Sequence, residues 1–147
     1  MSASELVIRP NAGKTWELGG LIECKVAGAQ TGDAYTILGI TLEKGQGAPM
    51  HIHKREDEVF YILEGTCTFG LGDEVITAEA GTTVILKKGL AHFFRNDSST
   101  PMKALITTVP GGLDRYFEEV TTAIAEQKPQ EIDKINTQYE IEFIQAR

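Results

Sequence analysis

Short β-rich runs separated by glycine and proline turns fill most of the first 110 residues of this chain. Eight such runs follow one another closely with no helical pattern between them, which is typical of an all-β sandwich or barrel. Gly72-Asp73, between two of the runs, is a tight hairpin signal. The predicted strands are residues 17–26, 34–42, 58–63, 66–71, 74–78, 82–86, 91–96 and 102–109.

A helical pattern replaces the β pattern after residue 112. Apolar side chains then recur at the spacing of one helix face, and we expect this helix to end near Lys128 because Pro129 follows it. A second, shorter helix is predicted over 131–136, and the alternation over 139–143 predicts an edge strand. The apolar positions of the first helix are Leu113, Tyr116, Phe117, Val120 and Ile124.

These patterns predict a single domain over residues 1–147, with a barrel core at about 17–109 and a helical tail at about 113–147. A chain of 147 residues can bury one core but is short for two. We expect the tail to cover the outer face of the barrel, with a role as a lid over a cofactor as the alternative.

Composition limits the classes of partner. Charged residues make up 24% and hydrophobic residues 41% of the chain, an ordinary globular balance. The 14 Lys and Arg face 21 Asp and Glu, and the net charge of −7 argues against nucleic acid and anionic membranes as partners. No apolar run approaches the roughly 20 residues that span a bilayer.

The N-terminus favours a cytoplasmic protein, in which cysteines are normally reduced. Residues 1–10 lack the basic start and apolar stretch of a secretory signal. Cys24 and Cys67 lie far apart in sequence, and both are predicted to be reduced, buried small hydrophobes. A disulfide and a catalytic thiol are the alternatives.

Two predicted strands are apolar on both faces. In residues 59–63 neither alternating set of side chains is polar, and residues 36–42 are similar. One face of a barrel strand lines the interior, so an apolar second face must be covered by another layer, the tail or a second subunit. We favour a homodimer.

The three histidines of the chain are candidate metal ligands. His51 and His53 are two residues apart, which places both rings on one face of an extended segment. Glu58 lies five residues beyond His53, and His92 opens a later predicted strand. If the two segments are neighbours, four ligands converge. Since isolated histidines are more often hydrogen-bonded core or surface residues, the pattern of histidines alone leaves that alternative open.

Three imidazoles and one carboxylate would suit one divalent transition metal, namely Fe, Mn, Ni, Co, Cu or Zn. Ca²⁺ and Mg²⁺ prefer oxygen ligands, and no cysteine lies near the histidines as in a structural zinc site.

Glycines around these residues complete two motifs. The segment GQGAPMHIHKREDEVFYILEG (45–65) resembles the first motif of the cupin superfamily, G-x5-H-x-H-x3,4-E-x6-G, at every defined position. The segment GTTVILKKGLAHFFRN (81–96) resembles the second motif, G-x5-P-x-G-x2-H-x3-N, except that Lys87 replaces proline. That position shapes a turn and is not a ligand. Asn96 ends the second motif and is expected to serve as a turn or hydrogen-bonding residue.

The resemblance implies a cupin double-stranded β-helix, or jelly-roll barrel, with His51, His53, Glu58 and His92 as metal ligands. Motif spacing and strand parity both select Glu58 as the carboxylate ligand. Glu56 and Asp57 are expected to be solvated loop charges.

The resemblance also implies a range of activities, and the chain is similar to small bacterial cupins described as quercetin-dioxygenase-like. We therefore predict a metal-dependent dioxygenase-type oxidoreductase acting on a small organic substrate, aromatic or polyketide-like, with Glu58 as the catalytic residue. Phe60 and Phe94 are expected to line the substrate pocket. A metal-dependent isomerase or cyclase and a non-catalytic, metal-bearing binding module are the alternatives.

Overall fold

Antiparallel strands form most of the computed structural model, which describes residues 2–145. Residues 1, 146 and 147, the ends of the predicted domain and tail, lie outside the described part. The strands are β1 (Thr15–Glu17), β2 (Leu21–Val26), β3 (Thr36–Leu42), β4 (Gly47–His53), β5 (Asp57–Glu64), β6 (Thr66–Leu71), β7 (Glu74–Glu79), β8 (Thr83–Leu86), β9 (His92–Arg95), β10 (Met102–Val109) and β11 (Ile141–Phe143).

Two α-helices lie in the C-terminal part, α1 (Leu113–Ala125) and α2 (Ile132–Gln138). Short 3-10 turns occupy Ala3–Leu6, Gly28–Thr31 and Pro129–Glu131. No helix in the described residues is long and apolar enough to cross a membrane.

Each of the eight predicted β-runs contains an observed strand. The first run, 17–26, is interrupted by a hairpin in which Glu17 of β1 pairs with Leu21 of β2. Gly19 permits this turn because its φ is +65° and an added Cβ would lie 2.3 Å from the carbonyl oxygen of Gly47. Strand β4 was missing from the predicted runs, since Gly47, Ala48 and Pro49 at its start are weak strand formers.

The strands form two sheets that enclose a core. One sheet has the order β1-β2-β3-β10-β5-β8, and the other has the order β11-β4-β9-β6-β7. Alternate residues of each strand point inward, as the burial of Phe60 and Ile62 on β5 and of Phe69 on β6 shows. The rings of Phe60 and Phe69 meet edge to face with centroids 5.2 Å apart. This architecture confirms the prediction of an all-β fold.

Asn96 fixes the loop that joins β9 to β10. Its buried side-chain amide donates hydrogen bonds to the carbonyl oxygens of Leu42 and Thr100, both at 2.8 Å. Its side-chain oxygen accepts a hydrogen bond from the Ser98 backbone N–H at 2.9 Å. The predicted hydrogen-bonding role of Asn96 is therefore confirmed, because a buried amide with these partners holds the loop in one conformation.

The tail lies over the mouth of the barrel, whereas the sequence led us to expect it on the outer face. Leu113 and Val120 on α1 face apolar side chains of the barrel interior across a cavity. The Trp16 indole N–H donates to Glu118 at 2.7 Å and holds α1 against β1. At the end of the tail, β11 pairs with β4 as the predicted edge strand.

Part of the outer face of the six-stranded sheet, on β5 and β8, stays exposed in the single chain. Tyr61 and Leu63 on β5 are each 46% exposed, and Ile85 on the neighbouring β8 is 58% exposed. Neither the second sheet nor the tail covers these side chains. The apolar second face predicted for residues 59–63 therefore has no partner within the described residues.

Candidate metal centre

Two neighbouring strands of the five-stranded sheet place the three histidines on the inner side of the barrel. His51 and His53 lie two residues apart on β4 and share one face, and His92 begins β9. The register of the two strands pairs His51 with His92. All three residues are buried, with exposed fractions of 5%, 6% and 1%.

The three imidazoles converge on one point. One ring nitrogen from each histidine lies within 4.8 Å of the corresponding nitrogens of the other two. The Nε2 atoms of His51 and His53 are 3.2 Å apart, and the ring centroids of His51 and His92 are 4.3 Å apart. Three buried imidazoles this close together can hold a single metal ion.

Glu58 reaches the same point from the opposite sheet. It lies on β5 of the six-stranded sheet, and its side chain is buried. One carboxylate oxygen, Oε1, is 3.4 Å from His53 Nε2, and the other, Oε2, is 3.5 Å from His92 Nε2. The structure thus brings together all four residues that the sequence predicted as ligands.

Backbone carbonyls orient two of the rings. His51 Nδ1 lies 2.6 Å from the carbonyl oxygen of Pro49, and His92 Nδ1 lies 3.0 Å from that of Leu90. A carbonyl oxygen only accepts hydrogen bonds, so each ring carries its proton on Nδ1 when neutral. The lone pair on Nε2 is then directed toward the centre of the cluster, as a metal ligand requires.

The loop before His92 is held in place without the proline that the second motif usually has. The backbone N–H of Gly89 donates to the carbonyl oxygen of His53 at 2.8 Å. The backbone N–H of Lys88 donates to the carboxylate of Asp57, also at 2.8 Å. These bonds tie the loop to the end of β4, which carries His53, and to the start of β5, so Lys87 does not leave it unanchored.

Burial and mutual charge set the protonation states of the cluster. Burial, together with the His92 and His53 rings, lowers the pKa of His51 to about 4. Burial acts to raise the pKa of Glu58, but the three histidines outweigh it and the pKa falls to about 2. His51 is therefore neutral and Glu58 ionised at neutral pH, which are the forms that bind metal.

The structure corrects the interpretation of Glu56, which is fully buried and is not a solvated loop charge. Its Oε2 atom lies 3.4 Å from His53 Nδ1. Asp57, by contrast, is exposed as expected. The inward alternation of Glu58, Phe60 and Ile62 on β5, extended back by one step, would have identified Glu56 as an inward residue.

An apolar cavity of about 310 Å³ opens beside the cluster. Phe60 and Phe94, the two predicted pocket aromatics, both line it, whereas Tyr35 and Tyr61 are exposed on the surface. Phe143 on β11 stacks on the His51 ring with centroids 5.4 Å apart. Sequence reasoning missed the part of the wall that comes from the tail, which includes Leu113, Val120, Ile124 and Phe143.

The lining carries almost no charge away from the cluster. Among the described residues that line the cavity, none is Lys, Arg or Asp, and the ionisable groups are His51, His53, Glu58 and Tyr116. The Tyr116 hydroxyl donates a hydrogen bond to the side-chain oxygen of Asn136 at 2.6 Å. Polar recognition inside the cavity is therefore concentrated at the cluster.

Comparison with known proteins agrees with this fold and site. Residues 40–108, which include all four clustered residues, match the family model described as a cupin domain. Germin-like protein 1 from Brassica napus is 36% identical over 64 residues, covering 40% of this chain and 31% of that protein. The match thus spans less than a third of the length of this curated relative.

Solved structures show the same architecture. A protein from Thermotoga maritima described as a predicted oxalate decarboxylase superposes with a TM-score of 0.64 at 19% identity, covering 71% of this chain and 98% of that one. A sugar phosphate isomerase of the cupin superfamily from Silicibacter pomeroyi has a TM-score of 0.55 at 20% identity, covering 62% and 59%. At these identities the likeness concerns the fold alone.

The two sheets are therefore the double-stranded β-helix of the cupin fold, and the segment that matches the cupin domain model is residues 40–108. The three buried histidines, which can hold a metal ion, lie within that segment.

Proposed function

We propose that this protein is a metal-dependent enzyme that converts a small, largely apolar organic substrate, with dioxygenase-type oxidation as its reaction. The observation that carries the proposal is a buried cluster of three histidines and one glutamate that opens onto an apolar cavity of about 310 Å³. Ligand pockets of this kind are largely apolar with a few polar groups that fix orientation.

His51, His53, Glu58 and His92 are the proposed ligands of one divalent metal. Imidazole and carboxylate donors suit Fe, Mn, Ni, Co, Cu or Zn. When bound, such a metal supplies a Lewis acid that polarises a substrate oxygen, and a redox-active one also supports reaction with O₂. The donor forms fit this role because His51 is neutral and Glu58 ionised at neutral pH.

Glu58 is the proposed proton acceptor. It is the carboxylate among the described residues that line the cavity. Once detached from the metal, the Glu58 carboxylate would take up the proton of a substrate hydroxyl directed at the cluster. The apolar walls would orient the remainder of the molecule and exclude water from the reacting end.

The cavity favours an aromatic or polyketide-like substrate over a small dianion. Oxalate is the compound named in the description of the Thermotoga maritima protein. A dianion or a phosphate ester in this cavity would meet no Lys or Arg among the described lining residues. Burying an unpaired charge in apolar surroundings is unfavourable, whereas an aromatic ring with one or two oxygens matches both walls and cluster.

Oxygen consumption by the metal-reconstituted protein tests the reaction. The protein is loaded in turn with Fe²⁺, Ni²⁺, Cu²⁺ and Mn²⁺ and mixed with flavonol and catechol substrates. We expect O₂ uptake that depends on substrate and metal. No uptake with any pair would contradict the dioxygenase proposal. Turnover that persists without O₂ would indicate an isomerase or cyclase, and a ligand recovered unchanged would indicate a binding module.

Glutamate variants on one strand test the role of Glu58. Glu58→Gln removes the charged donor, so we expect loss of most bound metal by elemental analysis and loss of any turnover. Glu64→Gln is the matched control because Glu64 lies on the same strand and is exposed. Equal metal content in the two variants would contradict the assignment.

A further inference from the structure

Glu56 is a fully buried carboxylate that lies beside the ring of His53. Its exposed fraction is zero, and neither Oε1 nor Oε2 has a hydrogen-bond partner among the described residues. His53 Nδ1 lies 3.4 Å from Oε2 of Glu56. Buried polar groups are normally satisfied, and a buried charge is expensive unless a cation offsets it.

The Nδ1 atom of His53 faces a different kind of group from the Nδ1 atoms of His51 and His92. The Nδ1 atoms of His51 and His92 face neutral carbonyl oxygens, at 2.6 and 3.0 Å. His53 Nδ1 instead faces the Glu56 carboxylate, while His53 Nε2 faces the cluster. A carboxylate is the stronger acceptor and makes the imidazole a better donor to a metal.

We propose that Glu56 is a positioning residue of the metal centre. It accepts a hydrogen bond from His53 Nδ1 and holds His53 in the form that presents Nε2 to the metal. This inference rests on the metal binding proposed above.

Zinc binding by Glu56→Gln tests the proposal, with Glu64→Gln as the exposed control. Loss of an acceptor behind a histidine ligand typically weakens metal binding by about 10- to 100-fold. We expect a loss of that size in Glu56→Gln by chelator competition, with one zinc still bound at saturation. Glu58→Gln should lose more, and Glu64→Gln should bind as the wild type does.

Thermal unfolding distinguishes this role from a merely structural one. If Glu56 serves the metal, Glu56→Gln lowers the stability of the zinc-loaded protein more than that of the metal-free protein. The zinc-loaded variant then gains less in melting temperature than the wild type does. Equal destabilisation with and without zinc, or unchanged zinc affinity, would overturn the inference.

Ring nitrogen NMR of the zinc-loaded wild type gives a second readout that does not depend on whether the variant folds. We expect His53 to carry its proton on Nδ1 and to bind zinc through Nε2. Zinc on Nδ1 would overturn the inference. A wild type that binds no zinc, iron or manganese would overturn the proposed metal function itself, whereas zinc binding without turnover would leave Glu56 in its role.

Discussion

At the scale of single residues, backbone carbonyls orient two of the histidine rings. Pro49 and Leu90 supply carbonyl oxygens that fix the Nδ1 proton of His51 and His92, so the Nε2 lone pairs converge. The short sequence separations involved, two residues in each case, make this orientation a local property of the chain.

The two cysteines are predicted to react slowly in the folded protein. Burial, reinforced by the nearby Asp114 charge, raises the pKa of Cys24 to about 11, and burial raises that of Cys67 to about 12. The thiolate is the reactive form. Raising the pKa of a thiol from 9.0 to about 11, as for Cys24, lowers the thiolate fraction at pH 8 by about 100-fold. We therefore expect alkylation far slower than in urea-unfolded protein.

Mass spectrometry after timed iodoacetamide treatment measures this difference. Rapid labelling of folded protein at either cysteine would contradict it. Cys67 is buried, as the sequence predicted, but Cys24 is only partly so. Both cysteines have free thiols, as the sequence predicted. The cytoplasmic location stays a prediction.

Sequence and structure diverge at Glu56 for an identifiable reason. Three consecutive acids, Glu56 to Glu58, occur at the bend between β4 and β5, where charged residues are usually solvated. Motif spacing identifies one of them, Glu58, as a candidate ligand. Motif spacing gives no role to Glu56. The role of this carboxylate depends on the direction of His53 Nδ1, which only the folded structure defines.

At the scale of elements, the tail determines the size of the cavity. The apolar stripe of α1 faces the interior, and its Val120 is 3% exposed. The helical periodicity predicted α1 and its apolar face, since that pattern is local. It could not predict that the face would cover the barrel mouth, because this depends on contacts distant in sequence, such as the hydrogen bond from Trp16 to Glu118.

Filling the cavity from the tail should block ligands without affecting the metal. In Val120→Trp a larger side chain occupies the space, and we expect at least a tenfold loss of affinity for an apolar fluorescent probe. Zinc affinity should stay unchanged. Thr122→Trp is the control because Thr122 is exposed on the same helix and is not part of the cavity wall.

Titration of the probe by fluorescence, alongside zinc competition, measures both quantities. If the two tryptophan variants bind the probe equally, the cavity is not the binding site.

At the scale of the whole molecule, the exposed face of the six-stranded sheet supports the predicted homodimer. Tyr61, Leu63 and Ile85 form an apolar surface that no described part of the chain covers. Contiguous exposed apolar patches are typical of interaction sites. A second copy of the chain remains our prediction for its partner.

Light scattering after size exclusion should give twice the chain mass of 16.1 kDa. Leu63→Lys combined with Ile85→Lys introduces like charges into the surface and should yield the monomer. Val75→Lys, on the opposite sheet and 65% exposed, should leave the mass unchanged. A wild type of 16 kDa at micromolar concentration would contradict the homodimer.

The four clustered residues come from both sheets of the barrel, which has a mechanical consequence. His51, His53 and His92 belong to one sheet and Glu58 to the other. A metal held by all four would be a cross-link between the two halves of the barrel. An ion present at 100 times its dissociation constant adds about 2.7 kcal/mol to the free energy of unfolding, and here that energy would oppose separation of the sheets. Amide exchange in β4, β5 and β9 should then slow together when zinc is added, and the cavity between the sheets should open less often.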